Sequence, residues 1–478
     1  MSLVSFGFLI FILILLIAYY ICPQAYRWWI LLAGSLIFYA TYGLISLPVL
    51  VGAALFTYFG GILIEKHESG KKKLIFFLTI MVEVVLLVVF KLPNVTLSVL
   101  GISFFTFMSI SYLADVYWGV SCSQKSFPKL LLFLSFFPQI IQGPINSYND
   151  MSGQLFVGHD FNRNRFVKGL YRVILGLFKK LVIASRLCVY VDRVYENVDS
   201  YSGLTLMAAT FFYAFQMYCD FSGYMDIVLG ISEMFGIRMA ENFNLPYLSG
   251  SISEYWRRWH ITLGAWFRSY IYYPVLRSCL MKKTKKRLKA KGHKGAANMI
   301  PTIAGLLVTW VLTGIWHGFA LHYLAWGVFH GVIIIMSVLL EGFYAFINKS
   351  LHVNDESAAV KILRIIRTFI LVDISYVFFR AQSISDAFKV FKGILHAKIN
   401  IDEIKNMLLP FTEDNSAVSY FAVVFLALIL LVISEIIQYV KPEKSIAKLY
   451  PYISAAVMIL YVLLFGVFGQ SSFIYAQY

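Results

Sequence analysis

Between Lys294 and Glu341 the chain carries no Asp, Glu, Lys or Arg, yet His317, His322 and His330 interrupt the apolar stretch. Roughly 20 apolar residues suffice for one helical crossing of a bilayer, so this segment is long enough for two. Inside lipid an imidazole has no water to bond, and an unpaired polar group there costs several kcal/mol. Each histidine is therefore expected to pair within a bundle or to face a water-filled path, which makes the segment a candidate functional region.

Composition points the same way: 59% of the 478 residues are hydrophobic and only 14% are charged, the profile of a polytopic membrane protein. Leu3 to Ile21 is an apolar run with no basic residue before it and no small-residue cleavage site after it, so it reads as a retained helix. The net charge of +16 is concentrated in connecting segments, where basic residues mark the cytoplasmic side; nucleic acid is not an expected partner. An outside N-terminus places both Arg27 and the Lys71–Lys73 cluster inside. Cys22, Cys122, Cys188, Cys219 and Cys279 are scattered, without zinc-type spacing.

Apolar runs at 3–21, 28–43, 46–64, 74–90, 98–118, 129–143, 166–185, 203–219, 222–237, 299–340 (in two pieces), 362–379, 418–439 and 451–469 predict an all-α polytopic bundle. The run from Lys129 to Gly143 is short and holds Pro138, so a re-entrant hairpin is expected. Lys168, Arg172, Lys179 and Lys180 imply that 166–185 is lodged in protein or tilted in the interface. From Ser251 to Leu276 a capping-box pair, Ser251 and Glu254, precedes an aromatic stripe, which predicts one amphipathic interfacial helix. The basic run Lys282–Lys294 predicts a solvated cytoplasmic loop attracting anionic lipid, or an anionic donor. Residues 380–417 read as a polar connection. The expected organisation is a single membrane domain: N-terminal spans 1–118, a core 119–341 with re-entrant and interfacial helices, and C-terminal spans 342–478.

No G-x-S-x-G elbow, Walker A loop, G-x-G-x-x-G fingerprint or H-E-x-x-H helix is present, which removes the usual support for serine hydrolases, ATPases and metalloproteases. On one continuous helix His317 and His330 would fall on nearly opposite sides, so no metal site is expected from the three histidines. The buried polar candidates are His260, His317, Asp115, Asp220, Asp226, Asn242, Asp373 and Gln216. Asp373 and Arg380 are two turns apart and are expected to pair; Asp115 reads as an interfacial cap. Gln216 to Asp226 reads either as a broken helix lining a cavity or as simple helix packing. His322 and His330 are expected to be satisfied core histidines. His317, between Gly314 and Gly318, sits where the backbone can be approached closely.

Several strings resemble the membrane-bound O-acyltransferase family, in particular its bacterial alginate O-acetyltransferase branch: Gly101-Ile-Ser-Phe-Phe-Thr-Phe107, Phe137-Pro-Gln-Ile-Ile-Gln-Gly-Pro144, Asp220-Phe-Ser-Gly-Tyr-Met-Asp226, Glu241-Asn-Phe-Asn-Leu-Pro-Tyr247, Trp256-Arg-Arg-Trp-His-Ile-Thr-Leu263 and Gly314-Ile-Trp-His-Gly318. The resemblance implies a helical bundle enclosing a transbilayer tunnel, with His317 and His260 as the two family histidines. It assigns Gln216, Asp220, Ser222, Tyr224, Asn242, Trp256, Arg257, Arg258, Trp259 and Trp316 to the tunnel or substrate path. It further implies no bound cofactor, with acetyl-coenzyme A or another thioester as acyl donor at the cytoplasmic side. The implied acceptor is a hydroxyl of a polysaccharide, or an extracytoplasmic protein that relays the acyl group, and the implied location is the bacterial cytoplasmic membrane. A related branch transfers D-alanine to teichoic acid; the Trp-Arg-Arg form and the overall length favour the acetyl-type branch.

Acyl transfer to a hydroxyl needs a base for the nucleophile's proton and stabilisation of the developing oxyanion. A neutral imidazole suits the first task, so His317 is the expected base, with His260 orienting or stabilising from the cytoplasmic mouth. Two other classes remain: a transporter or flippase of a lipid-linked substrate, which would be expected to show an inverted repeat, and a non-catalytic scaffold recruiting an extracytoplasmic esterase.

Overall fold

Helices form every named element among the described residues; the computed structural model describes residues 1–92, 99–412, 417–444 and 449–468. Five of the described helices are long and apolar enough to cross a membrane: Ser46–Lys66, Gly70–Lys91, Lys294–His317, Leu321–Leu339 and Phe421–Val440. The first and last apolar helices, Phe6–Ile21 and Pro451–Phe465, are shorter. The all-α, multi-pass reading therefore stands, with fewer full-length spans among the described residues than the apolar runs suggested. Contacts gather the chain into two compact units, each discontinuous in sequence: Met1–Val182 with Asp220–Glu241 and Tyr450–Tyr478, and Ile183–Cys219 with Asn242–Leu449.

In the first unit, the segment beginning near Lys129 forms two helices of less than span length, Phe127–Ser135 and Phe137–Ile140, which meet at the non-helical Phe136. The run 166–185 divides into the helix Arg163–Leu177 and a π-helical turn, Phe178–Ala184. Gly169 and Gly176 face Gly230 and Gly223: a Cβ on Gly169 would stand 2.4 Å from the Gly230 carbonyl oxygen, and one on Gly176 2.5 Å from that of Gly223. Two glycines, seven residues apart on each side, thus let two backbones touch in antiparallel order, the small-residue packing that substitutes for hydrophobic driving force in lipid.

That closeness brings the charges together. Lys180 is paired with Asp220, each side chain 2% exposed, and Lys179 Nζ lies 2.8 Å from Asp226 Oδ2. Arg172 Nε donates to Asp226 Oδ1 at 3.0 Å, and its two terminal nitrogens grip both oxygens of Glu241. The expectation that this basic helix is lodged in protein holds at Lys179 and Lys180. The alternative of a helix broken between Gln216 and Asp226 is overturned: Gly203–Met234 is one helix of 32 residues. Its carboxylates are spent on lysine and arginine, so no break is needed to accommodate them.

Three further expectations are corrected. Arg380 pairs with Asp192 at 2.5 Å and not with Asp373, because a partner from another helix reaches the guanidinium. The basic run is helical, Cys279–Ala290, with its charges on an exposed surface. The supposed connection 380–417 contains the helices Ile384–Leu395 and Ile401–Thr412.

Removing one member of a buried ion pair costs about 3–5 kcal/mol because the other charge stays desolvated, whereas replacing both by apolar groups is close to neutral. Lys180→Met alone is therefore expected to lower the thermal unfolding midpoint of the detergent-solubilised protein sharply, and Lys180→Met combined with Asp220→Leu to restore most of it. Equal destabilisation by the single and double variants, followed by tryptophan fluorescence, would contradict this reading.

Candidate functional site

The Ser251–Leu276 stripe is not one helix. Ile252–Arg258 and Ile261–Phe267 are separated at Trp259 and His260, and His260 adopts a left-handed backbone with φ 45° and ψ 52°. A β-branch-free but Cβ-bearing residue in that region stores strain, so the surroundings must enforce it. Asn242 does so. Its backbone carbonyl accepts from Ile261 N at 3.1 Å, and its Oδ1 accepts from Thr262 N at 2.9 Å and Thr262 Oγ1 at 2.7 Å. One residue further on, Phe243 forms a lone antiparallel bridge with Trp259. Ser251 caps the first helix by accepting from Glu254 N at 3.1 Å, while Glu254 reaches back to Gly250 N at 2.9 Å.

The break aims His260 into a cavity of about 440 Å³, whose wall includes Trp256, Arg257, Arg268, Tyr272 and Trp310. Arg257 and Arg268 are exposed, whereas His260 is 2% exposed. His260 lies outside the five span-length helices, and burial pushes its pKa down to about 3, so the ring is neutral at any physiological pH.

His317 ends the Lys294–His317 helix, the chain turns back, and Leu321–Leu339 returns beside it. The two helices touch through glycine: a Cβ on Gly314 would meet the Tyr323 carbonyl oxygen at 2.8 Å, and one on Gly327 the Trp310 oxygen at 2.5 Å. This hairpin removes the separation that a continuous helix would impose on the histidines. His317, 5% exposed, is boxed by Trp316, Trp326 and Phe379 at ring-centroid distances of 4.5, 4.8 and 5.0 Å. Trp326 also packs 5.7 Å from Trp256, the wall of the cavity, so one indole touches both neighbourhoods. His322 bonds the Phe378 carbonyl oxygen at 3.1 Å, and His330 bonds Trp256 and Ser375, the satisfied partners expected of core histidines.

Of the residues proposed from sequence, His260, Trp256 and Arg257 line the cavity together. Trp316 and His317 are adjacent in the aromatic box. Asn242 shapes the His260 turn, Trp259 packs at 5.0 Å on Phe243, and Arg258 is held 2.8 Å from Glu254; none of these three lines the cavity. Gln216 is buried, with no hydrogen-bond partner for its Oε1 among the described residues. Asp220, Ser222 and Tyr224 are buried on the first unit's part of the long helix, Asp220 with Lys180. The sequence reading missed Trp310, Trp326 and Phe379. The signal for the two tryptophans was helical spacing: Trp326 lies four residues before His330, and Trp310 seven before His317, one face in each case.

Residues 120–377 match the family model described as MBOAT, membrane-bound O-acyltransferase family. The probable alginate O-acetylase of Pseudomonas aeruginosa is 31% identical over 410 residues, covering 80% of this chain and 73% of that protein. The peptidoglycan O-acetyltransferase of Helicobacter pylori is 31% identical over 78% of this chain and 74% of its own length. The teichoic acid D-alanyltransferase of Bacillus subtilis is 27% identical over 61% of this chain and 70% of its own length.

Neutral burial of His260 ties stability to pH. Its folded pKa lies below the unfolded value near 6.5, so the unfolded chain binds the extra proton between the two; this contribution is complete above about pH 6.5 and is lost as pH falls toward 3. Between pH 7 and pH 5 the wild type should lose about 2 kcal/mol more unfolding free energy than His260→Asn, measured by chemical denaturation in matched detergent. Parallel pH curves for the two proteins would show that burial does not hold His260 neutral.

Proposed function

Because the chain belongs to the membrane-bound O-acyltransferase family, we propose that it moves an acetyl group from a thioester donor at the cytoplasmic face to a hydroxyl of a cell-envelope or secreted polysaccharide, directly or through an acyl-relay protein. The observation that carries this reading is the contact of Trp326 with both Trp256 in the cavity wall and His317 in its aromatic box. The relatives that cover the most of this chain among those described are O-acetyl-transferring proteins, while the D-alanyltransferase match is shorter and weaker, which favours acetyl over D-alanyl. We place the chain in the bacterial cytoplasmic membrane, a reading supported by its membrane-bound family and the bacterial source of its relatives.

The cavity is the donor's place in this reading. Acetyl-coenzyme A, or another thioester with an anionic carrier, would meet Arg257 and Arg268 at the exposed part of its wall, and the helix Cys279–Ala290, bearing Lys282, Lys283, Lys285, Lys286, Arg287 and Lys289, would raise its local concentration. No resident cofactor is required. His317 takes the proton from the acceptor hydroxyl as its oxygen attacks the thioester carbon. The C–O bond forms, the C–S bond breaks, and the departing thiolate takes up the proton that His317 accepted, which leaves the imidazole neutral again. His260, neutral and fixed by the Asn242 turn, orients the donor's carbonyl or stabilises its oxygen. The low dielectric of the aromatic surroundings strengthens such contacts.

Loss of a general base typically costs 10²–10⁴-fold in rate, so purified His317→Ala and His317→Gln proteins given labelled acetyl donor are expected to transfer label at about a hundredth of the wild-type rate or less. Parental rates in both would remove His317 from the chemistry. For the rim, Arg257→Glu combined with Arg268→Glu is expected to raise the donor KM by about tenfold at low salt, with the gap narrowing at 0.5 M salt as screening removes the attraction. A salt-independent effect would show that the arginines act by packing.

A further inference from the structure

His330 is 1% exposed, and its two ring nitrogens are both engaged. Trp256 Nε1 stands 3.2 Å from His330 Nδ1, and an indole nitrogen can only donate, so Nδ1 accepts. The proton of the neutral ring is then on Nε2, which donates to Ser375 Oγ at 3.0 Å; Ser375 spends its own proton on the Val372 carbonyl oxygen at 2.6 Å. A one-way chain of hydrogen bonds thus runs from an indole in the cavity wall to the helix Ala358–Arg380. The rings enforce the same pose: His330 meets Trp256 edge-on at 5.0 Å and 88°, and lies nearly parallel to Trp310, 5.4 Å away at 27°.

Trp256 sits on the short helix Ile252–Arg258, which ends at the strained His260 turn, and its indole has a single polar atom. That atom is spent on His330. Packing on Trp310 at 4.8 Å and Trp326 at 5.7 Å limits the ring's tilt, while the hydrogen bond fixes which edge it presents to the cavity. We infer that His330 is a positioning residue: by accepting from Trp256 it sets the wall of the cavity, and thereby the length of acyl chain that the donor site admits. The inference rests on the donor occupying this cavity, as proposed above. His330 itself touches no substrate in this scheme. It acts through Trp256, and it was, with His322, one of the two histidines that the sequence assigns to the core.

The test uses the full-length protein in nanodiscs and three variants at this position or its partner. In His330→Asn the amide oxygen falls near the place of Nδ1 and keeps an acceptor for the indole; in His330→Gln the amide reaches the place of Nε2 and leaves Trp256 without one. Trp256→Phe removes the same bond from the other side, and remains informative should His330→Gln fail to fold. Transfer is measured with acetyl-, butyryl- and octanoyl-coenzyme A. Expected for His330→Gln and Trp256→Phe are a donor KM raised about tenfold, the size of one lost buried hydrogen bond, and a shift of preference toward the longer chains, with kcat changing less. His330→Asn should stay near wild type, and His330→Gln should add nothing in the Trp256→Phe background. A second readout needs no turnover: Thr309→Cys places a thiol in the cavity wall, and its rate of maleimide labelling, read by mass spectrometry of that peptide, should change several-fold on adding His330→Gln but not on adding His330→Asn. If the wild type uses none of the three thioesters while labelling shifts as expected, the donor reading falls and the positioning role stands. Unchanged chain-length preference and unchanged labelling, or equal losses in His330→Asn and His330→Gln, would overturn the inference.

Discussion

Close backbone approach in an apolar medium is the constraint from which the rest of this structure follows. Lipid offers no hydrophobic reward for bringing helices together, so contact must come from packing and from polar groups that find partners. In one unit Gly169 and Gly176 meet Gly230 and Gly223, and three basic side chains reach three carboxylates across that seam. In the other, Gly314 and Gly327 let Lys294–His317 lie against Leu321–Leu339, and the aromatic residues flanking those glycines interlock. Each aromatic pair adds about 0.5–1.5 kcal/mol beyond its burial, so the cluster of Trp256, Trp310, Trp326 and the two histidines is rigid as well as apolar.

Rigidity here serves chemistry. The rings of Trp316, Trp326 and Phe379 fix the orientation of His317, and a neutral imidazole at His260 adds no charge to desolvate. The polar work is done by backbone and amide groups instead: Asn242 holds the turn at His260 with one side-chain oxygen and one main-chain carbonyl. In the proposed transfer, preorganisation of this kind spares the reorganisation that flexible donors would need at the moment of reaction.

The membrane class, the all-helical fold and the family were legible in the sequence because they depend on composition and on short strings spread over most of the chain. So was the capping pair Ser251 and Glu254, a local signal. What was not legible depended on distant partners. Arg380 had a nearby carboxylate in sequence at Asp373, but Asp192 reaches it in space. The aromatic stripe after Ser251 reads as one helix by periodicity, yet Asn242, far enough back to lie outside any local window, breaks it at His260. Asp220 and Asp226 suggested a helix interruption only because their partners Lys180, Lys179 and Arg172 lie 40 to 54 residues earlier. His317 and His330 looked unrelated by helical phase until the turn after Gly318 folded one helix onto the other.

The left-handed backbone at His260 carries an evolutionary implication. Glycine or asparagine would occupy that conformation at lower cost, so selection for heat resistance alone would tend to discard the imidazole. On the role proposed for His260, directed evolution run first for thermal endurance and then for turnover should visit this position twice, in opposite directions, and the histidine would mark where the molecule trades durability for that role.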